Sequence, residues 1–427
     1  AIGSQARELG RRSVVVGRDT RFSSEAFAKA LAEGLCAAGC NVVDIGLVTT
    51  PVMYFATQVS LSDSGVMVTA SHNPPEYNGL KVVLGGEALH GQAIQRLRQR
   101  IEQGALACGE GRVEHWDPRA AYRERILCDV RLARRLKLVI DCGHGTAGRI
   151  APNLFRELGC DLTALDCGAG RPGEDRFLDP SQPDNLRRLG AAVVASGADL
   201  GVAFDGDADR LGVVDSQGAV IWSDRVLMLF AVDLLSRNPG ARVVYDVKCS
   251  HHLARVIREH GGQPVMWKSG HSLLKAKLRQ VGALLAGEWS GHFMFRERWY
   301  GFDDGLYAAA RLLEILARDT RSSAEVFAAF PRGVGTPELS VRLHEGEPQA
   351  AMAAVIQCAN LLSGARLTTL DGLRADFPTG WGLVRASNTA PALIFRFEAE
   401  DAAALGRIQA AFRALLQRAA PNLDLPF

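Results

Sequence analysis

Leu136-Lys137-Leu138-Val139-Ile140-Asp141 is a short apolar run closed by an acid, and Cys142-Gly143-His144-Gly145 turns the chain directly after it. A helical stretch follows from about Ala151 to Gly159. A strand-length apolar run, a glycine-rich turn and a helix together open a β-α-β unit, whose next strand lies parallel to the first. The same order occurs upstream: a strand at Ser13 to Gly17, a helix at Ser24 to Gly39 and a strand at Asn41 to Gly46. It recurs downstream, with a strand at Ala241 to Asp246, a helix over His251 to His260 and a strand at Pro264 to Trp267. Three such cycles predict three related α/β units with mixed, largely parallel sheets. From about Gly333 the order changes to a strand at Glu338 to Leu343, a helix at Gln349 to Leu362, strands around Leu367 and Leu383, a strand at Ala392 to Phe397 and a helix at Ala402 to Leu416. Strands adjacent in sequence with two helices predict a small α+β domain. Joints near Asp117-Pro118, Gly218 and Pro331 divide the chain into residues 1–117, 118–219, 220–331 and 332–427.

The bulk properties suit a globular chain of several domains. It has 427 residues, 47% hydrophobic and 22% charged, and a formal net charge of +2, so no broad field draws it to nucleic acid or membrane. Nine cysteines are scattered without a CxxC pair, which argues for a reducing cytoplasm and against disulfides and zinc. No apolar segment reaches membrane-spanning length. The amino terminus lacks a basic-then-apolar signal pattern and reads like the inside of a helix.

Four loops carry chemistry. Ser71 lies in Thr69-Ala70-Ser71-His72-Asn73-Pro74, after the apolar strand Gly65-Val66-Met67-Val68. A hydroxyl on a stiff loop at a strand end can accept and return a phosphoryl group; taken alone, it serves equally as a turn serine bonded to its own backbone. Asp205-Gly206-Asp207-Ala208-Asp209-Arg210 sits between two strand-like runs. Carboxylates at alternate positions of an extended loop turn to one side and offer three hard oxygen ligands, which suits Mg²⁺ completed by a phosphate oxygen. An EF-hand is excluded, because Arg210 and Ser216 stand where glycine and glutamate are needed and strands flank the loop. In Gly287-Glu288-Trp289-Ser290-Gly291-His292, Glu288 and Ser290 alternate in direction with Trp289 and can face one ligand, as vicinal sugar hydroxyls require. In Arg385-Ala386-Ser387-Asn388-Thr389, a guanidinium, two hydroxyls, an amide and loop N–H groups make an oxyanion clamp, or simply a polar β-loop. Lys81 begins a strand near Ser71, and Lys248 and His271 fall at turns of the third unit; each alone is an ordinary solvated or structural side chain.

Together the four loops resemble the α-D-phosphohexomutase superfamily, most closely its bacterial phosphomannomutase/phosphoglucomutase branch, and the resemblance runs nearly end to end. It implies four domains around a central cleft, each giving one loop. It implies that Ser71 is the phosphoserine, that Asp205, Asp207 and Asp209 hold Mg²⁺ together with the Ser71 phosphate, and that Arg210 steadies the transferring phosphoryl. Glu288, Trp289, Ser290 and Gly291 would form the sugar loop, with His292 a proton shuttle and Lys81 near the reacting oxygen. Arg385, Ala386, Ser387, Asn388 and Thr389, aided by Lys248 and His271, would grip the idle phosphate. The implied reaction interconverts hexose 1- and 6-phosphates of mannose or glucose through a hexose 1,6-bisphosphate that turns end for end. Glucose 1,6-bisphosphate, or its mannose counterpart, would act as activator. A monomer is expected, with a phosphosugar as its only partner. Phosphoglucosamine mutases usually carry Arg-Lys-Ser-Gly-Thr in the last loop, so Arg-Ala-Ser-Asn-Thr favours the mannose/glucose branch. Trp289 departs from the usual methionine. The family also begins with a strand and a Tyr/Arg-bearing segment that this chain lacks, so a fragment is expected, with a catalytically impaired phosphosugar-binding protein as the alternative.

Overall fold

The computed structural model of the chain describes residues 1–60, 62–168 and 179–427. Four sheets form in chain order. In the first, strands run in the spatial order Glu87–Ala88, Leu80–Leu84, Gly65–Val68, Ser13–Arg18, Asn41–Leu47 and Val113–His115. The last four of these are mutually parallel, and the first two add antiparallel at one edge. The second sheet runs Val220–Ile221, Leu211–Asp215, Leu200–Phe204, Lys137–Asp141, Asp161–Leu165, and the third runs Gln263–Trp267, Arg242–Asp246, Leu285–Gly287, Phe293–Phe295. Both repeat the plan of a parallel centre with an antiparallel edge. The second sheet extends to Ile221, past the expected joint at 219, because Val220 and Ile221 pair back onto Val214 and Val213. The fourth sheet is wholly antiparallel. The long helix Ala402–Ala419 packs on it through Ile408, Phe412, Leu415 and Leu416.

Two elements carry little signal in sequence. Helix Thr50–Val59 starts on Thr49, whose hydroxyl accepts from the Val52 N–H at 3.3 Å, with Pro51 in the first turn. Strand Leu373–Phe377 contains Arg374 and Asp376, and its charged face is buried against the third domain rather than exposed. The expected helix at 349–362 instead ends at Gln357 and gives way to a 3₁₀ turn at Ala359–Leu361.

The first three domains share one continuous hydrophobic core, in which Phe55, Tyr122, Trp299 and Tyr307 meet across domain lines. The fourth has a core of its own. Its attachment joins an apolar contact of Trp381 and Leu383 on Val247 to polar bonds: Arg374 donates to the carbonyls of Val247 (2.6 Å) and Cys249 (2.8 Å), and Ser250 donates to Glu398 at 2.9 Å. A domain with its own core and a small interface can shift as a body without opening the larger core.

Candidate active site

Each chemistry-bearing loop leaves its sheet at the end facing a common cleft, and the loops interlock through backbone bonds. The Thr50 N–H donates to the Asp207 carbonyl (2.9 Å), the Leu211 N–H to that of Gly291 (3.0 Å) and the Gly305 N–H to that of Ala208 (3.1 Å). Two glycines permit this closeness. A Cβ at Gly206 would meet the Ser71 carbonyl oxygen at 2.6 Å. Gly291 has φ +100°, and a Cβ there would meet the Leu211 carbonyl oxygen at 2.8 Å.

Ser71 sits in the left-handed region, with φ 53°. That strained turn for a non-glycine residue is held from behind by Arg21. The guanidinium of Arg21 donates to the carbonyls of Ser71 (2.7 Å), Asn73 (2.6 Å), Pro74 (2.7 Å) and Tyr77 (3.1 Å), while Asp19 lies 3.2 Å from its Nε. The Ser71 hydroxyl therefore points forward and donates to Asp205 Oδ2 at 2.5 Å.

Asp205, Asp207 and Asp209 are wholly buried, and one oxygen from each lies within 4.8 Å of the others. Thr50 donates to Asp207 Oδ2 at 2.5 Å; Lys81 Nζ is 2.7 Å from the same oxygen and 2.5 Å from Asp209 Oδ2. Burial raises the Asp205 carboxyl well above its ordinary value, and the neighbouring Asp207 and Asp209 charges add to this. Burial also pushes Asp207 upward, but the Lys81 ammonium and the Thr50 and Ser71 hydroxyls outweigh it and hold that carboxyl below the usual range. Among the described residues, Asp207 Oδ1 and Asp209 Oδ1 are buried without a hydrogen-bond partner. Three converging carboxylates, two of them with an unpaired inner oxygen, fit a hard divalent cation.

Arg210 lies at the cleft floor. Its N–H donates to Asp205 Oδ1 (3.2 Å), its Nη1 reaches Asp179 (3.4 Å) and its Nε donates to His292 Nε2 (3.0 Å). A guanidinium cannot accept a hydrogen bond, so His292 Nε2 carries no proton here. The other ring nitrogen, Nδ1, lies 3.0 Å from Asp303 Oδ2. His271 stacks on His292 at 5.0 Å and places its own Nδ1 2.9 Å from the same oxygen, and Lys275 is 2.7 Å from Asp303 Oδ1.

The rest of the cleft, about 180 Å³, is lined by Lys248, Ser269, Glu288, Ser290, Glu338, Arg385, Ser387, Asn388 and Thr389, among others. Lys248 bridges Glu338 (3.1 Å) of the fourth domain and Glu288 (3.9 Å) of the third. Arg385 donates from Nε to Asp371 at 3.0 Å, and its buried Nη2 has no partner among the described residues. Asn388 already spans to the Ser269 carbonyl (3.0 Å), and the Thr389 N–H donates to Ser387 Oγ. Ala386 ends its strand and pairs with Leu393, giving the loop only backbone. The Trp289 side chain is 1% exposed, stacks on Trp222 at 5.5 Å and lies under the Arg396 guanidinium. Trp289 thus packs at the domain joint, and the alternation expected of Glu288 and Ser290 leaves those two on the cleft side.

Family models for the phosphoglucomutase/phosphomannomutase α/β/α domains I, II and III match residues 1–107, 120–218 and 222–333, and the model for that family's C-terminal domain matches residues 338–415. The chain belongs to the phosphoglucomutase/phosphomannomutase family. It is 51% identical over 427 residues to a phosphomannomutase/phosphoglucomutase of Pseudomonas aeruginosa, covering 100% of this chain and 92% of that protein. It is 46% identical to a phosphoglucomutase of Neisseria gonorrhoeae, covering 100% and 93%. A crystal structure of a phosphoglucomutase/phosphomannomutase family protein from Burkholderia thailandensis superimposes with a TM-score of 0.94 at 49% identity, covering 100% of this chain and 93% of that one.

Several site neighbours of this phosphoglucomutase/phosphomannomutase family member escape a reading by motif. Arg21 and Asp19 lie in Gly17-Arg18-Asp19-Thr20-Arg21, where two charges at a strand end were the available signal. Asp303, beside Asp304 in Gly301-Phe302-Asp303-Asp304-Gly305, and Lys275 on a helix are recognisable only once folding buries both, at 0% and 4% exposure. Thr50 reaches Asp207 across a domain line, and Asp179 reaches Arg210 from a distant part of the same domain. No helix among the described residues is long and apolar enough to cross a membrane.

Proposed function

We propose that this protein is a phosphohexomutase that interconverts the 1- and 6-phosphates of mannose and glucose, with Ser71 as the phosphoryl carrier. One observation carries the reading. The Ser71 hydroxyl lies 2.5 Å from a carboxylate of the aspartate triplet, and the cleft that its neighbours His72 and Arg210 line is also lined by Arg385, whose Nη2 is unpaired among the described residues. A nucleophile and an anion clamp at one cleft suit a substrate with two phosphorylatable positions. Full-length identity to proteins named for both sugars supports the mannose/glucose choice.

Asp205, Asp207 and Asp209 would hold Mg²⁺, which when bound supplies charge neutralisation for the transferring phosphoryl. The chain's own groups do the remaining work. Arg21 aims Ser71, and Arg210 balances charge on the transferring oxygens. Glu288 and Ser290 orient the sugar by its hydroxyls, while Arg385, Ser387, Asn388, Thr389, Lys248 and His271 hold the phosphate that is not reacting. Lys81, held as an ammonium between two carboxylates, would steady charge near the reacting oxygen, and His292 would take the proton once Arg210 engages phosphate and frees Nε2. The phosphoryl passes from Ser71 to a hexose 1-phosphate, the resulting bisphosphate reorients, and its other phosphoryl returns to Ser71. Glucose 1,6-bisphosphate would prime an unphosphorylated chain. Nine free cysteines fit work in the reducing cytoplasm.

Intact-mass spectrometry tests the carrier: one covalent phosphate that is absent from Ser71→Ala is expected. Incubation with glucose 1-phosphate or mannose 1-phosphate, Mg²⁺ and a trace of the 1,6-bisphosphate should yield the 6-phosphates. Inorganic phosphate as the main product would instead make the protein a phosphatase, and absence of product would make it a phosphosugar-binding protein.

A further inference from the structure

Cys142 and Cys167 are twenty-five positions apart in sequence, yet their Sγ atoms lie 2.7 Å apart. Two neighbouring parallel strands bring them together. Lys137–Asp141 and Asp161–Leu165 pair in register to their last residues. The pairing then continues past both strand ends, through the Cys142 N–H to the Leu165 carbonyl (3.1 Å) and the His144 N–H to the Asp166 carbonyl (2.8 Å). The backbone that presents the two thiols is thus fixed by the sheet itself.

We propose that Cys142 and Cys167 form a peroxide-oxidisable dithiol, a modification site that reversibly staples the second domain beside the metal loop. The two thiols differ in the way such a reaction needs. Cys167 is half-buried and open to a small oxidant, whereas Cys142 is fully buried. Burial, with Cys167 close by, raises the Cys142 thiol well above its ordinary value, and Cys167, the accessible thiol of the pair, reacts first. Having lost its proton to solvent, Cys167 attacks one oxygen of hydrogen peroxide; the O–O bond breaks, and hydroxide leaves and is protonated to water. Cys142 Sγ then attacks the sulfenic sulfur, the S–O bond breaks, and the departing hydroxide takes the Cys142 proton as a second water. Two thiols lose two electrons, and one peroxide becomes two waters. A dithiol reductant reverses the bond.

The staple lies against the site's support. The 3₁₀ turn Thr146–Arg149 is wedged between the cysteines and the metal loop: Thr146 donates from both N–H and Oγ1 to the Gly206 carbonyl (3.0 and 2.9 Å). On its other side, a Cβ at Gly148 would meet the Cys167 carbonyl oxygen at 2.3 Å. Because the sheet already holds the thiols together, the bond forms without displacing this turn, and it constrains the unfolded chain.

The test uses the intact folded protein. It is treated with equimolar hydrogen peroxide, then denatured, alkylated and mapped by peptide mass spectrometry without reduction, with the melting temperature of the oxidised folded protein recorded alongside. The expected result is a Cys142–Cys167 cross-linked peptide, all but two of the nine cysteines alkylated, loss of the cross-link in dithiothreitol, and a melting temperature about 5 °C or more above that of the reduced protein. In Cys142→Ser, Cys167 should stop at a dimedone-reactive sulfenic acid and the thermal gain should vanish. A cross-link between other cysteines, an oxidised Cys167 beside a free Cys142 in the unsubstituted protein, or a melting temperature unchanged or lowered by the cross-link would each overturn the proposal. None of these readouts depends on turnover of a sugar phosphate.

Discussion

Lys81→Met separates what the protein contributes to the acidic loop from what a cation contributes. The Lys81 ammonium lies 2.7 Å from Asp207 Oδ2 and 2.5 Å from Asp209 Oδ2, and both carboxylates are wholly buried. At an effective dielectric of about 20, one such contact is worth about 6 kcal/mol of Coulomb attraction, most of which offsets the cost of burying the ions. Methionine keeps the length of the stem but leaves the carboxylates unbalanced, and breaking a buried pair in this way costs about 3–5 kcal/mol. In EDTA the melting temperature should therefore fall by about 6–20 °C, taking about 2–4 °C per kcal/mol. A divalent cation replaces the missing charge. Saturation at about a hundred times its Kd contributes about 2.7 kcal/mol, and more where no ammonium competes for the same oxygens. The rise in melting temperature on adding MgCl₂ should thus be larger for Lys81→Met than for the parent protein. Differential scanning calorimetry of both proteins, in EDTA and in MgCl₂, checks this. Equal melting temperatures in EDTA, or equal gains from MgCl₂, would refute the assignment of Lys81 as the stand-in charge of the loop.

Arg385→Lys keeps the charge but loses the planar fork whose Nη2 is unpaired in the cleft. KM for hexose 1-phosphate should rise about tenfold, equivalent to about 1.4 kcal/mol; an unchanged KM would remove Arg385 from the clamp. Arg374→Met leaves two buried carbonyls and Asp376 without their donor at the attachment of the fourth domain. Calorimetry should then resolve a separate, earlier transition for that domain, about 2–4 kcal/mol weaker, and superimposable scans would count against the clasp. Asp304 caps helix Gly305–Arg318 through the Tyr307 N–H (2.9 Å) and accepts from Tyr122 and Trp299. Burial nevertheless pushes its carboxyl up from 3.8 to about 7, with these donors opposing. Between those pH values the folded protein holds a proton that the unfolded chain has released, so stability falls as pH rises through the window, by up to about 4 kcal/mol. Asp304→Asn retains a capping oxygen and cannot titrate, so urea midpoints at pH 4, 5.5 and 7 should decline less steeply for the variant than for the parent; parallel declines would exclude Asp304 as the source.

Much of the architecture was legible because it is written in local patterns. The apolar runs at Ser13, Lys137 and Arg242 are strands whose partners follow a helix later, and a turn plus helix specifies a parallel return. The Asp205, Ser71, Glu288 and Arg385 loops were legible because each gathers several chemical groups within a few residues. Strand Leu373–Phe377 was hard to read for the opposite reason: charges usually mark a solvated face, and here Arg374 is spent on carbonyls of another domain and on Asp376 beside it. The ring of Trp289 packs on Trp222 and under Arg396, partners far away in sequence that its motif does not name.

What the amino-acid order determined by itself was the set of units and the chemical content of each loop, since helix and strand periodicity, turn residues and short motifs all act over a few positions. What only the tertiary structure decided was the company those loops keep. Thr50 beside Asp207, Lys81 between two aspartates, Arg210 on His292, Arg21 behind Ser71 and Cys142 against Cys167 are separated by up to 157 positions along the chain. Their distances, burial and protonation follow from how the domains pack, because the energy of a charge, a thiol or an unpaired oxygen depends on its surroundings far more than on its neighbours in sequence.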